Sequence, residues 1–194
     1  MNQIVSLGSI AIALLTLAGC RSDEIHVSSD HSFPFRSSNS LSGSVSLANK
    51  QMDNLQACGT IRIDNVSVAG DVKINGTLSG DRLKVSGVLA INGTCIMSNM
   101  HINGTTNING FLNANNSNFS KIEMSTKKLV LVNSAADSIL IRKPGLTETQ
   151  QQIIDLDNTT IKGDICFENG DGKIIVRNSS KIYGSITGGT LETT

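Results

Sequence analysis

The chain has 194 residues, and its 16 Lys and Arg residues balance 16 Asp and Glu residues to a formal net charge of zero. A neutral chain lacks the positive field that attracts nucleic acid, so we expect no nucleic-acid partner. Aromatic residues make up only 3% of the sequence, which leaves few flat rings for stacking on bases or sugars.

The first twenty residues have the features of an export signal. An apolar run over residues 4–17 is too short to span a bilayer comfortably and has the length of a signal h-region. It is followed by Leu-Ala-Gly-Cys ending at Cys20, which resembles the lipobox of bacterial lipoproteins. The resemblance implies a lipoprotein signal peptide over residues 1–19 and a membrane anchor through lipidated Cys20. The alternative is an ordinary signal peptide followed by an incidental cysteine.

The segment after the predicted anchor, residues 20–43, is rich in serine and has no hydrophobic periodicity. This composition predicts a flexible tether. Arg21 stands directly after the cysteine. In enterobacterial lipoproteins Asp at that position signals retention in the inner membrane, so the resemblance implies the bacterial outer membrane as the destination. The face of the membrane is left open.

From Ile61 onward the sequence repeats with a period of seventeen residues, so that Val68, Val85 and Ile102 share one column. Apolar residues alternate in pairs within each repeat, as in Ile61 and Ile63. Alternation of this kind is typical of a strand with one buried face. Three short strands joined by turns make one coil, which can bury its apolar face only by stacking on copies of itself.

We therefore predict an all-β fold over residues 44–194, a right-handed single-stranded parallel β-helix (solenoid) of about seven coils with roughly 17 residues each. The residues predicted to form its core are Ile61, Val68, Val85, Ile91, Ile102, Ile108, Phe119, Ile161, Ile165, Ile182 and Ile186. An insertion at residues 143–152 lengthens one coil, and it either carries a binding function or simply tolerates extra length.

One corner of the predicted coil carries asparagine in six of seven repeats, and Arg82 occupies the remaining one. Asparagine tolerates the left-handed backbone of a tight corner, and stacked amides can hydrogen-bond along the rod. The column resembles the asparagine ladder of pectate-lyase-type β-helices, and its members are Asn65, Asn99, Asn116, Asn133, Asn158 and Asn178. A carbohydrate-binding stripe is the minor alternative. Asn75, Asn92 and Asn109 form a shorter column at a second corner.

The polar residues do not form a pattern that indicates catalysis. Asp64 and Asp81 are stacked neighbours by register, but carboxylates on a solvated face usually only keep a protein soluble. The three histidines lack metal-ligand spacing. We therefore predict that the protein is not an enzyme and that it binds no metal ion and no cofactor.

The register places Cys95 inside the rod, Cys166 outside and Cys58 in a turn of the leading coil. These three positions lie coils apart, beyond the roughly 4.4–6.8 Å between Cα atoms that a disulfide needs. We therefore predict no intrachain disulfide.

Short glycine-punctuated coils of this length over residues 59–188 resemble those of bactofilins, bacterial β-helices that assemble end to end and bind membranes through an N-terminal tail. They are also similar to bacterial surface adhesins with a short β-helical head. The resemblances and the export signal imply a lipid-anchored cell-envelope protein with a non-enzymatic structural, scaffolding or adhesion role. A polysaccharide-binding or polysaccharide-cleaving β-helix is the alternative. An uncapped last coil favours end-to-end self-association, and the sequence leaves a small-molecule ligand undefined.

Overall fold

The computed structural model describes residues 24–27, 40–143 and 151–194. The predicted signal peptide, Cys20 and residues 144–150 of the insertion lie outside the described residues. Within the described ranges the chain is built from strands and turns and contains no α-helix. The strands are β1 Glu24–Val27, β2 Ser40–Met52, β3 Leu55–Val68, β4 Val72–Val85, β5 Leu89–Asn115, β6 Asn118–Ser125, β7 Lys128–Val132, β8 Ala135–Ile141, β9 Ile153–Asp157, β10 Thr160–Ile161, β11 Ile165–Phe167, β12 Gly172–Arg177, β13 Lys181–Ile182, β14 Ile186–Thr187 and β15 Gly189–Thr193.

Each coil pairs in parallel register with the next, and the rod has about nine turns roughly 17 residues apart. Val68 pairs with Val85, and Val85 pairs with Ile102. The predicted parallel β-helix is therefore confirmed. The rod has more coils than the seven expected, because Ser40–Met52 forms an additional coil at the start and the chain continues in register to Thr193.

The predicted tether differs from the structure at two places. Glu24–Val27 forms a strand that pairs in parallel with residues 44–47, and residues 40–43 already belong to β2. The serine-rich composition of this region concealed a short alternating segment that adds to the edge of the first coil.

Each coil has three faces, which we define on β3. Face A contains residues 55–57, face B residues 61–63 and face C residues 66–68. Gly59 lies at the corner between faces A and B, and Asn65 lies at the corner between faces B and C. The inward side chains of all three faces meet in one continuous apolar column, as the burial pattern of β3 shows.

The predicted core residues of the middle coils are buried in this column, and Ile61, Val68 and Val85 have no exposed area. Ile182 and Ile186 are only partly buried although they pack against the core. They occupy inward positions in the last described coil, so no further coil covers them there.

Two departures from the regular period are absorbed at corners. The register between β5 and β6 shifts between Ile102 and Thr105, because β6 has one residue fewer than β5 in this stretch. At the base of the insertion, Gln152 donates hydrogen bonds of 3.0 Å to the carbonyl oxygens of Thr126 and Arg142. Because the side chain of Gln152 is buried, it holds the two ends of the insertion together, and β9 continues the rod in register with β7.

Candidate functional site

The corner between faces B and C has the same backbone conformation in eight coils. Its residues have φ between 47 and 56°, the left-handed region that asparagine tolerates better than most residues. Arg82 adopts it as well, with φ 54°, and Asn49 extends the column by one coil that sequence analysis missed. The predicted members of the column, Asn65, Asn99, Asn116, Asn133, Asn158 and Asn178, all lie at this corner.

The amides of this corner hydrogen-bond from coil to coil. Asn65 donates to Asn49 at 2.7 Å, and Asn158 donates to Asn133 at 2.8 Å. Other amides reach the residue that precedes the corner in the neighbouring coil, as Asn99 does with Asp81 at 2.5 Å. The left-handed backbone and these hydrogen bonds from coil to coil together favour the structural interpretation of this ladder.

Arg82 replaces an amide with an ion-pair bridge in the same ladder. Its guanidinium lies 2.5 Å from Asp64 and 2.9 Å from Asp81. Asp81 in turn accepts from Asn99. The two carboxylates that are neighbours by register are thus engaged with a cation at a corner rather than gathered around an open site.

A second ladder, made of hydroxyl groups, lies inside the rod and was missed by sequence analysis. In the C-terminal coils the first inward position of face C holds Ser117, Ser134, Thr159 or Ser180. Each hydroxyl accepts from a backbone N–H of the preceding coil, at distances of 2.9 to 3.2 Å. The same column holds Val66, Leu83 and Met100 in the three preceding coils, so the polar residues interrupt an apolar pattern.

An open groove of about 800 Å³ runs along face A, across several coils. Asn75, Asn92 and Asn109 stand along it at the corner between faces A and B, and their amides are linked by hydrogen bonds of 3.4 and 3.2 Å. Its described lining is Ser40, Ser42, Gln56, Ala57, Cys58, Lys73, Ile74, Asn75, Ala90, Ile91, Asn92, Asn107, Ile108, Asn109, Glu123, Ser125 and Arg142.

Glu123 lies at one end of the groove and is held by two cations. Lys121 is 2.6 Å from its carboxylate, and Arg142 donates to the same group. These contacts hold the pKa of Glu123 below its ordinary value, with the Lys121 hydrogen bond as the largest cause and the Arg142 hydrogen bond next. Glu123 is therefore an ionised carboxylate at neutral pH.

The cysteines differ in their environments. Cys95 is buried and free, and burial raises its pKa to about 12. Cys166 is free and half-buried on the outer side of face A. Cys58 is disulfide-bonded, so the prediction of no intrachain disulfide was wrong. That prediction compared only the cysteines of the rod, whereas the fourth cysteine, Cys20, lies outside the described residues.

Neither a metal-binding cluster nor a membrane-spanning helix occurs in the described part of the chain. No cluster of three or more His, Cys, Asp or Glu side chains suited to a metal ion occurs there. Nor does that part contain a helix whose length and apolar character would let it cross a membrane.

No family model, curated protein or solved structure matches this chain.

Proposed function

We propose that the protein is a lipid-anchored, non-enzymatic β-solenoid of the bacterial cell envelope with a scaffolding or adhesion role. The observation that supports this best is the parallel pairing of every coil with the next from Ser40 to Thr193. About nine turns at a spacing of ~4.8 Å give a rod of about 43 Å. Ladders of side-chain hydrogen bonds reinforce the rod along its axis, as a spacer or scaffold requires.

The lipid anchor is the part of the proposal that a single experiment tests. Intact-mass spectrometry of the protein extracted from membranes should show cleavage before Cys20 and acylation of that residue. A thioether-linked lipid and a disulfide exclude each other at one sulfur, so the same measurement reports which of the two Cys20 carries. An uncleaved or unacylated protein would refute the anchor.

Two variants locate the protein. The Cys20→Ala protein should no longer be found in the membrane fraction, because it lacks the lipid. Arg21→Asp should move the protein from the outer to the inner membrane, as the lipoprotein resemblance implies. Membrane fractionation on a density gradient separates these outcomes, and an unchanged distribution of both variants would contradict the proposed address.

End-to-end self-association is a second part of the proposal, supported by the last described coil. Within the described residues β13, β14 and β15 each pair with one strand only, so each has an edge with unpaired backbone groups. Tyr183 and Leu191 are 68% and 54% exposed in this coil. Light scattering of the Cys20→Ala protein should show oligomers whose mass increases with protein concentration. Adding the substitution Leu191→Lys to this protein should reduce that mass. A monomer at every concentration would refute self-association without touching the anchor.

A cleaving function receives less support than a binding one. Glycoside hydrolysis commonly uses two carboxyl groups, one of which is protonated and donates to the leaving group. Glu123 is the one carboxylate in the described lining of the groove, and its lowered pKa keeps it ionised. Its pairing with Lys121 and Arg142 suits it to accept hydrogen bonds from a bound ligand.

A further inference from the structure

The groove on face A carries polar side chains that repeat along the rod axis. Its polar side chains recur from coil to coil, at about 4.8 Å, along the rod axis. Asn75, Asn92 and Asn109 follow one another in this way at one side of the groove. Gln56, Lys73 and Ala90 occupy the outward column of face A in the same part of the rod. The groove therefore offers a periodic surface to a ligand that lies along the axis.

The amides at the side of the groove retain hydrogen-bonding capacity. An asparagine amide has two N–H donors and an oxygen with two lone pairs. Asn92 donates one N–H to Asn75 and accepts one hydrogen bond from Asn109. These bonds leave it one donor and one lone pair, so it can serve a hydroxyl group both as donor and as acceptor.

The centre of the groove is small and apolar. Ala90 faces outward between Lys73 and the next coil, and it is half-buried. Its small side chain leaves room beside the row of asparagine amides, where a sugar ring can approach the coil.

We propose that this groove binds an extended segment of a linear, hydroxyl-rich polysaccharide aligned with the rod axis. The length of a pyranose unit in an extended chain is close to the coil spacing of about 4.8 Å, so successive sugars meet successive coils. The amides of Asn92 and Asn109 hydrogen-bond the hydroxyls, Lys73 donates from the middle of the groove, and Glu123 accepts at its end. An extended peptide fits less well, because the groove crosses strands whose backbone groups are already paired.

The inference goes beyond the proposed anchor and scaffold, since the groove belongs to the rod itself. Loss of the lipid in Cys20→Ala should leave sugar binding unchanged. A failure of membrane anchoring and a failure of sugar binding are therefore distinguishable in separate measurements.

The test is titration calorimetry of the full-length protein in detergent with defined linear oligomers. The probes are six-unit oligomers of β-1,4-linked glucose and of galacturonic acid, with the corresponding monosaccharides for comparison. We expect at least one oligomer to bind at least about tenfold more tightly than its monosaccharide, because several coils contribute contacts. No measurable binding of either oligomer would overturn the proposal.

Two matched variants place the binding in the groove. Ala90→Arg fills its centre with a long side chain and should weaken oligomer binding by at least about tenfold. Ser79→Arg adds the same side chain on face B, where Ser79 lies between Arg62 and Ile96, and should bind like the wild type. Circular dichroism checks that both variants keep the strand content. Equal binding by Ala90→Arg and the wild type would overturn the proposal.

Discussion

The backbone N–H of Ser117 donates a hydrogen bond of 3.0 Å to the hydroxyl of Ser134, one coil further along the chain. The hydroxyl of Ser134 in turn donates a hydrogen bond of 2.6 Å to the carbonyl oxygen of Val132. Both serines are buried. The hydroxyl thus connects two coils and spans the left-handed corner at Asn133, where the regular ladder of backbone hydrogen bonds is interrupted.

Ser134→Ala should destabilise the rod. The change leaves the N–H of Ser117 buried without an acceptor, which costs about 1–3 kcal/mol of unfolding free energy. Ser134→Thr should stay close to the wild type, because Thr159 fills the same position one coil later. Urea unfolding followed by circular dichroism measures both. Ser86→Ala, at an exposed serine, is the control, and an equal cost for Ser86→Ala and Ser134→Ala would refute the role of the hydroxyl ladder.

Gly93→Ala should be among the most damaging single changes in the rod. Gly93 has φ +141°, and a β-carbon there would lie 2.0 Å from the carbonyl oxygen of Gly76. The neighbouring coil would have to move, since the obstructing atom belongs to the backbone. Gly170 serves as the comparison, because its φ of +81° is strained for alanine but no atom lies within 4 Å of the added carbon. Gly170→Ala should lose about 1–2 kcal/mol, and thermal unfolding should show a larger loss for Gly93→Ala.

Asn133→Ala should destabilise the corner between faces B and C. Asn133 has φ 48°, and its amide accepts from Asn158 at 2.8 Å. Alanine in the left-handed region costs about 1–2 kcal/mol, and the hydrogen bond is lost in addition. Asn113→Ala, at an outward strand position of face B, is the matched control. Chemical unfolding of both variants should rank Asn133→Ala as the less stable, and the reverse order would contradict the corner argument.

Thiol labelling should distinguish the two free cysteines. Cys95 is fully buried, and the raised pKa of about 12 leaves its thiol protonated at neutral pH. Because the thiolate is the reactive form, a maleimide should modify Cys166 in the native protein and Cys95 only after denaturation. Peptide mapping by mass spectrometry identifies the labelled residue. Rapid native labelling of Cys95 would contradict its place in the core.

Glu123 should make stability depend on pH in the acid range. The pKa of Glu123 is lowered in the folded protein by Lys121 and Arg142. Its contribution to stability is therefore fully present above the ordinary glutamate pKa of about 4.3, and is lost as the pH falls through the lowered folded value. Unfolding free energies of the wild type and Glu123→Gln should differ at neutral pH and converge under acid conditions. A difference that is constant with pH would show that charge is not its source.

The period of the sequence was sufficient to predict the fold, because the residues that repeat are those with the strictest steric demands. Val68 and Val85 must face the core, and Gly76 and Gly93 must let two backbones approach. The first coil was not counted because the repeat was read only from Ile61, although its inward residues, Val45 and Leu47, lie within the predicted β-helix over residues 44–194.

The hydroxyl ladder, the groove and the disulfide depend on side-chain geometry, which the period of the sequence does not specify. Ser117 and Ser134 occupy inward positions where the sequence pattern favours apolar residues, and only their hydrogen bonds explain them. The groove is lined by side chains from several coils, among them Lys73, Ala90 and Asn92, and no motif indicates it. The disulfide of Cys58 was not predicted, because the period compares only cysteines that lie in the repeating coils.

The central claim is that residues one coil apart stack along a single axis, and spin-label distances test it most directly. Gln51, Asn118, Thr160 and Lys181 belong to one outward column of face C, linked through successive coils. With one label at Gln51 and the second at Asn118, Thr160 or Lys181, four, six or seven coil steps separate the labels. At a spacing of ~4.8 Å the account predicts distances that increase with the step number, to about 19, 29 and 34 Å. Distances that do not increase in this order would contradict the solenoid.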